Sequence, residues 1–257
     1  MKRVHGVAPL VVAAVLSGSD SFATVIFHNT GTTSGWSQLF KEHKGTISQV
    51  ASPVFKGSTS LQVTQIYDSA YSGRYHSEMI RNNAYKPGDM GFYGFAVRLP
   101  SNWQVVSQGY NLAQFIGDFT SSGCDGWMPG TMVWLHGTSL STRYRTSPAC
   151  SQTTTTFSNF GSMTPGSWHR IEIQASWQSG STGYFKVWFD GAKKVERYNI
   201  PTTIADSSNR YYQFRVGIYA NGWYDQGYMS GTQGTRTINY DQIGIATTYG
   251  EADPNGW

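Results

Sequence analysis

Short runs rich in β-branched and aromatic residues recur along this 257-residue chain, each closed by Gly, Asn, Asp, Ser or Pro, while stretches with helical apolar spacing are scarce. Many short strands separated by turns restrict a chain to a sandwich or a closed sheet. The candidate strands are 24–28, 60–67, 74–81, 91–99, 111–119, 131–135, 169–177, 183–189, 211–220 and 237–246. Asp190-Gly191 reads as a hairpin turn with a return strand through 193–195, since such turns favour residues that tolerate positive φ. Residues 151–158, rich in Ser and Thr, read as loop. No linker or internal repeat divides the chain, so residues 24–257 are expected to form one all-β domain, a two-sheet antiparallel jelly roll.

The chain opens Met1-Lys2-Arg3, runs apolar from Val4 to Leu16, and places Ser21 and Ala23 before a cut ahead of Thr24. That order reads as a secretory signal peptide over 1–23. Its apolar stretch falls short of the roughly 20 residues a membrane span needs. The expected product is a secreted monomer with no membrane partner. Cys124 and Cys150 are the two cysteines, and an oxidising compartment should pair them. Their bridge would staple an excursion holding Trp127, Trp134 and His136. A formal charge of +4 suits an anionic partner, without the dense Lys/Arg clusters that nucleic acid calls for.

Strand alternation sorts the polar residues onto faces. Arg74, His76 and Glu78 share one face of 74–81. Gln114 and Ile116 oppose Phe115 in the next pair of interest, and Arg215, Tyr219 and Asn221 oppose Val216, Ile218 and Ala220, with Gly217 leaving space between. A curved sheet would gather these groups into a concave groove. They match the needs of eliminating a glycosidic bond next to a uronic acid. The C5 carboxylate must be neutralised, which suits Gln, Asn, Arg or His. A base must take the C5 proton and an acid must protonate O4, which suits Tyr or His. His76 could equally be an ordinary half-buried histidine, and Glu78 a structural partner of Arg74 or Arg81. Trp134 and His136 share a parity that would extend the groove.

His76-Ser77-Glu78-Met79, Gln114-Phe115-Ile116 and Phe214-Arg215-Val216-Gly217-Ile218-Tyr219-Ala220-Asn221 follow the order of three alginate-lyase motifs. Those motifs read Arg-x-Glu-Leu, Gln-Ile-His and Tyr-Phe-Lys-Ala-Gly-x-Tyr-x-Gln. Here His76 stands at the motif Arg, Ile116 at the motif His and Asn221 at the final Gln, which argues against alginate lyase proper. From Phe27-His28-Asn29 through Gly183-Tyr184-Phe185-Lys186-Val187-Trp188-Phe189-Asp190-Gly191 to Ile238-Asn239-Tyr240-Asp241-Gln242-Ile243, the chain resembles the fungal glucuronan lyases of polysaccharide lyase family 20. That resemblance implies a jelly roll making endo-acting cuts in β-1,4-polyglucuronate, with no cofactor for catalysis. It implies Tyr219 as acid, alone or with the base's task as well, Gln114 on the C5 carboxylate, and His76 sharing that task or serving as base. Arg74, Arg215 and Asn221 are expected to support them in substrate binding. Jelly rolls of this kind often carry a structural calcium, for which Asp241 is the candidate ligand.

Two other functions fit the same composition. A glycoside hydrolase needs paired carboxylates, for which Glu78 and Asp118 across neighbouring strands are the candidates. A non-catalytic carbohydrate-binding module would use the nine Trp and sixteen Tyr as stacking surfaces.

Overall fold

The computed structural model describes residues 24–124, 126–206 and 208–257. The signal-peptide reading of 1–23 lies outside them. Among the described residues no helix is long and apolar enough to cross a membrane.

Among the described residues fifteen strands run in chain order: β1 (Val25–Asn29), β2 (Gln38–Lys41), β3 (Thr46–Val50), β4 (Ser60–Ile66), β5 (His76–Tyr85), β6 (Met90–Arg98), β7 (Gly109–Asp118), β8 (Trp127–His136), β9 (Ser139–Thr146), β10 (Thr153–Ser162), β11 (Trp168–Ser176), β12 (Gly183–Phe189), β13 (Ala192–Ile200), β14 (Tyr212–Tyr219) and β15 (Thr235–Ala246). Two short helices, α1 (Asn221–Gln226) and α2 (Tyr249–Ala252), follow β14 and β15. One sheet has the order β13-β12-β11-β6-β15-β4-β3, with β1 also on β15, and the other has the order β10-β9-β8-β7-β14-β5-β2. Every strand pairing in both is antiparallel. The expected two-sheet jelly roll is the fold.

The inner faces of the sheets meet in an aromatic core. Tyr85 stacks on Trp177 at 4.0 Å and on Tyr212 at 4.5 Å, and Phe115 stacks on Phe214 at 4.9 Å. One polar tip inside this core finds its partner there, Trp177 Nε1 donating to Tyr93 OH at 3.0 Å. Tyr240 on β15 ties the sheets together by reaching the carbonyls of Leu112 and Gly217 at 3.0 and 2.7 Å. Gly217 sits where the β14–β7 register shifts. A Cβ there would stand 2.2 Å from the Ser77 carbonyl oxygen, so only glycine lets β14 close on β5.

Several sequence expectations need correction. Residues 151–158 are not a loop: 153–162 form β10, an edge strand whose Thr-rich sequence has β propensity but no apolar alternation. The segment between the cysteines is not an excursion either, but the β8–β9 hairpin. The Cys124–Cys150 disulfide, with Cα atoms 5.3 Å apart, joins the connections at one end of that hairpin. Closing a loop of this size stabilises by roughly 3 kcal/mol on a chain-entropy model. The Asp190-Gly191 turn is as expected, with φ of 51° and 79°.

Asp241 is fully buried. Its Oδ2 accepts from the backbone N–H groups of Phe55 and Lys56 at 2.9 and 3.1 Å, and Oδ1 accepts from the Gln242 backbone and side chain at 2.8 and 3.3 Å. Calcium requires a shell of oxygen ligands, whereas these neighbours are N–H donors. Among the described residues no cluster of three or more His, Cys, Asp or Glu is placed to hold a metal. Asp241 instead anchors the 55–56 segment.

A buried carboxyl on the outer sheet makes stability pH-dependent. Glu172 on β11 is fully buried, and that burial, with Asp253 beside it, pushes its pKa from 4.5 up to about 8. The unfolded chain ionises Glu172 first, so its contribution is full below pH 4.5 and lost as pH rises through 8. Melting temperature should therefore fall across that window. In Glu172→Gln, which keeps a neutral side chain, this part of the fall should vanish in parallel thermal melts.

Candidate active site

The groove crosses the strands of the second sheet, and its lining includes Arg74, His76, Gln114, Trp134, Arg215, Tyr219 and Asn221. The expected gathering of these side chains therefore occurs, though two reach the groove from outside the expected strands. Strand β5 starts at His76, so Arg74 projects from the segment before it. Asn221 opens α1 rather than ending β14. His136, exposed at the end of β8, is not among the lining residues.

Antiparallel pairing sets the central cluster. Tyr219 is opposite His76, and their rings stack with centroids 3.9 Å apart. His76 Nδ1 lies 2.6 Å from Glu42 Oε2. A carboxylate only accepts, so Nδ1 carries a proton, and in the neutral imidazole the lone pair is then on Nε2. Arg74 donates from Nη1 to the Tyr219 hydroxyl, and its guanidinium lies 4.3 Å from the Tyr224 ring centre. Burial of the Tyr219 phenol outweighs the neighbouring Arg74 charge and pushes its pKa up to about 12. Tyr219 is thus a neutral phenol, a proton donor held beside an imidazole whose free nitrogen can accept.

A second cluster lies deeper. Gln114 Nε2 donates to both Glu78 oxygens at 2.8 and 3.0 Å, and Arg215 Nη1 lies 3.5 Å from Glu78 Oε2. Glu78 is 1% exposed, and its partners are Gln114 and Arg215 rather than Arg74 or Arg81. A buried carboxylate with this hydrogen bonding rigidifies the sheet face. Arg215 also lies 5.1 Å from the Trp127 ring centre and 5.7 Å from that of Phe40. Burial lowers its pKa, against the Glu78 charge.

This arrangement removes the hydrolase expectation. Asp118 is four residues beyond Gln114 on β7, about 13 Å along the strand, while Glu78 touches Gln114. A hydrolase pair is at most about 9.5 Å apart. Nor is the groove a flat aromatic platform, since its centre is made of acid–base and charged groups.

Sequence reasoning missed Glu42, Arg143 and Arg145, all of which line the groove. Glu42 meets His76 only because β2 pairs with β5, and no local motif marks it. The arginines were visible as the outward parity of 140–145, opposite Leu140, Thr142 and Tyr144.

A jelly roll with a tyrosine and a histidine stacked in a groove across one sheet is an architecture suited to an enzyme that cuts polysaccharides. A family model described as polysaccharide lyase matches residues 28–244, and the chain belongs to that family. Among solved structures it is similar to the endo-β-1,4-glucuronan lyase from the fungus Trichoderma reesei. The two are 45% identical with a TM-score of 0.88, over 91% of this chain and 100% of that one. The PL-14 alginate lyase from Aplysia kurodai shares the fold at 11% identity, TM-score 0.55, over 88% of this chain and 100% of that one. Alginate lyase vAL-1 from Chlorella virus does so at 13% identity, TM-score 0.52, over 81% and 90%. No curated protein matches the chain.

Proposed function

We propose that this protein is a secreted, monomeric glucuronan lyase that cuts within β-1,4-polyglucuronate by β-elimination. The observation that carries the mechanism is the side-by-side placement of His76, oriented by Glu42, and Tyr219, held by Arg74. In a D-glucuronate ring the C5 hydrogen and O4 lie on the same side. Elimination there needs base and acid on one flank, as His76 and Tyr219 are.

His76 Nε2 removes the C5 proton. The electron pair forms the C4=C5 double bond as the C4–O4 bond breaks, and Tyr219 gives its proton to O4. The departing oxygen becomes the hydroxyl of a new reducing end, and the other fragment keeps an unsaturated uronate. Among the described residues Arg74 forms no ion pair with a carboxylate, and it touches Tyr219, so it is the groove cation best placed to stabilise charge growing on the C5 carboxylate. Asn221 supplies an amide hydrogen bond to the same sugar, and Gln114, whose Nε2 is taken by Glu78, offers its Oε1 to a sugar hydroxyl. Arg215, engaged with Glu78, holds Gln114 in place.

Incubation with polyglucuronate should raise ultraviolet absorbance as the conjugated product forms. Chain length should fall quickly by gel filtration, as internal cleavage requires. Neutral β-1,4-glucan should give neither signal. Equal cleavage of the neutral glucan, or new reducing ends without absorbance, would overturn the lyase reading.

A further inference from the structure

Two strands from the reacting cluster, the groove carries a pair of cations that form no ion pair among the described residues. Register across the sheet runs Arg215–Gln114, Gln114–Met132 and Met132–Arg143. Arg143 is therefore two strand spacings, about 9.6 Å, from Gln114. Arg145 shares its face, and both are half-buried in the groove lining. No described ion pair includes either of them. Arg143 Nη2 meets only the Met132 sulfur at 2.8 Å, and Arg145 Nη1 donates to Gln152 at 3.0 Å. The Nε of each is buried without a hydrogen-bond partner. Burial and the neighbouring Arg145 push the Arg143 pKa down to about 10, against the charge of Asp225. Partly desolvated guanidiniums side by side are unfavourable until an anion joins them.

We propose that Arg143, supported by Arg145, takes the carboxylate of the uronate two sugars away from the one being cleaved. This rests on the lyase reading above. In an extended β-1,4-linked chain successive sugars face opposite ways, so every second carboxylate returns to the same side. Such a chain advances roughly one strand spacing per sugar. A carboxylate held beside Gln114 and Arg74 therefore puts its next same-side neighbour at Arg143. Trp134 is in register with Tyr219 through Asn111 and gives that distant sugar an apolar surface to lie on. The subsite reads charge at a distance from the chemistry, so it selects a polyanion of sufficient length over a short or neutral chain.

The test compares Arg143→Gln and Arg143→Lys with the wild type on oligoglucuronates of three and six units, following absorbance. Calorimetric binding of the six-unit oligomer is measured in a Tyr219→Phe background, and thermal melts check folding. Arg143→Gln should lower kcat/KM on the six-unit substrate about tenfold to hundredfold, as expected for a charge-assisted hydrogen bond. The loss should come through KM, so the advantage of six units over three shrinks, and Arg143→Lys should recover part of it. Calorimetric affinity should weaken by a similar factor. Equal loss on both lengths, a loss in kcat with KM unchanged, or unchanged calorimetric affinity would overturn the proposal. If the wild type yields no unsaturated product, the lyase reading fails by itself. Binding, which needs no turnover, then still decides the subsite: weakened in Arg143→Gln it stands, and unchanged it falls.

Discussion

Tyr219→Phe should lower kcat on polyglucuronate by on the order of 10²–10⁴, the usual contribution of a positioned proton donor, while KM and the melting temperature barely move. The substitution removes one oxygen and keeps the ring that stacks on His76 at 3.9 Å. The hydroxyl's partner is Arg74, an exposed side chain that water can satisfy when the oxygen is gone, so the fold should not suffer. A phenol with its pKa pushed up to about 12 remains protonated across any ordinary assay range, as the proposed role of donor to O4 requires. The cluster divides the work between two groups, phenol and imidazole. If Tyr219→Phe keeps more than about a tenth of wild-type kcat, O4 receives its proton from another group. Circular dichroism together with calorimetric binding of an oligoglucuronate would separate that outcome from misfolding.

The parts of this molecule that could be read from its sequence are those where one strand carries both halves of the argument. In β7 the core residue Phe115 alternates with groove residues Gln114 and Ile116, and in β14 Val216 and Ile218 alternate with Arg215 and Tyr219. A strand buried on one face and polar in a groove on the other announces its register. The edge strand β10 is exposed along most of its length, so it has no apolar face to reveal and its Ser/Thr content resembles a loop. β9 did alternate, but the flanking cysteines suggested an excursion where the chain makes a hairpin. Asp241 shows the limit of residue type as a guide. Sequence shows a carboxylate near the C-terminus, while only the fold shows that backbone N–H groups surround it. Glu42 shows the limit of motif spacing. It sits 34 residues before His76 in the chain, and its tie to the imidazole exists only in the paired sheet.

That tie leads to the second large effect. His76→Ala should remove the base and lower kcat by on the order of 10²–10⁴. Glu42→Gln should produce a loss approaching it without touching the substrate. In the wild type the carboxylate accepts from Nδ1 at 2.6 Å and holds the tautomer with its lone pair on Nε2. A Gln at 42 can donate its amide to Nδ1 instead, which moves the ring proton to Nε2 and disarms the base, as a wrong tautomer does in other oriented imidazoles. Glu42→Asp keeps an acceptor but shortens the reach, so it should retain more activity than Glu42→Gln. KM should stay within about threefold in both variants, since neither removes a group that meets the sugar. Nitrogen NMR of the imidazole reads the tautomer directly and should show the proton on Nδ1 in the wild type and shifted toward Nε2 in Glu42→Gln. An unchanged tautomer with lost activity would assign Glu42 a packing role. Unchanged activity in Glu42→Gln would mean that stacking on Tyr219 alone orients His76.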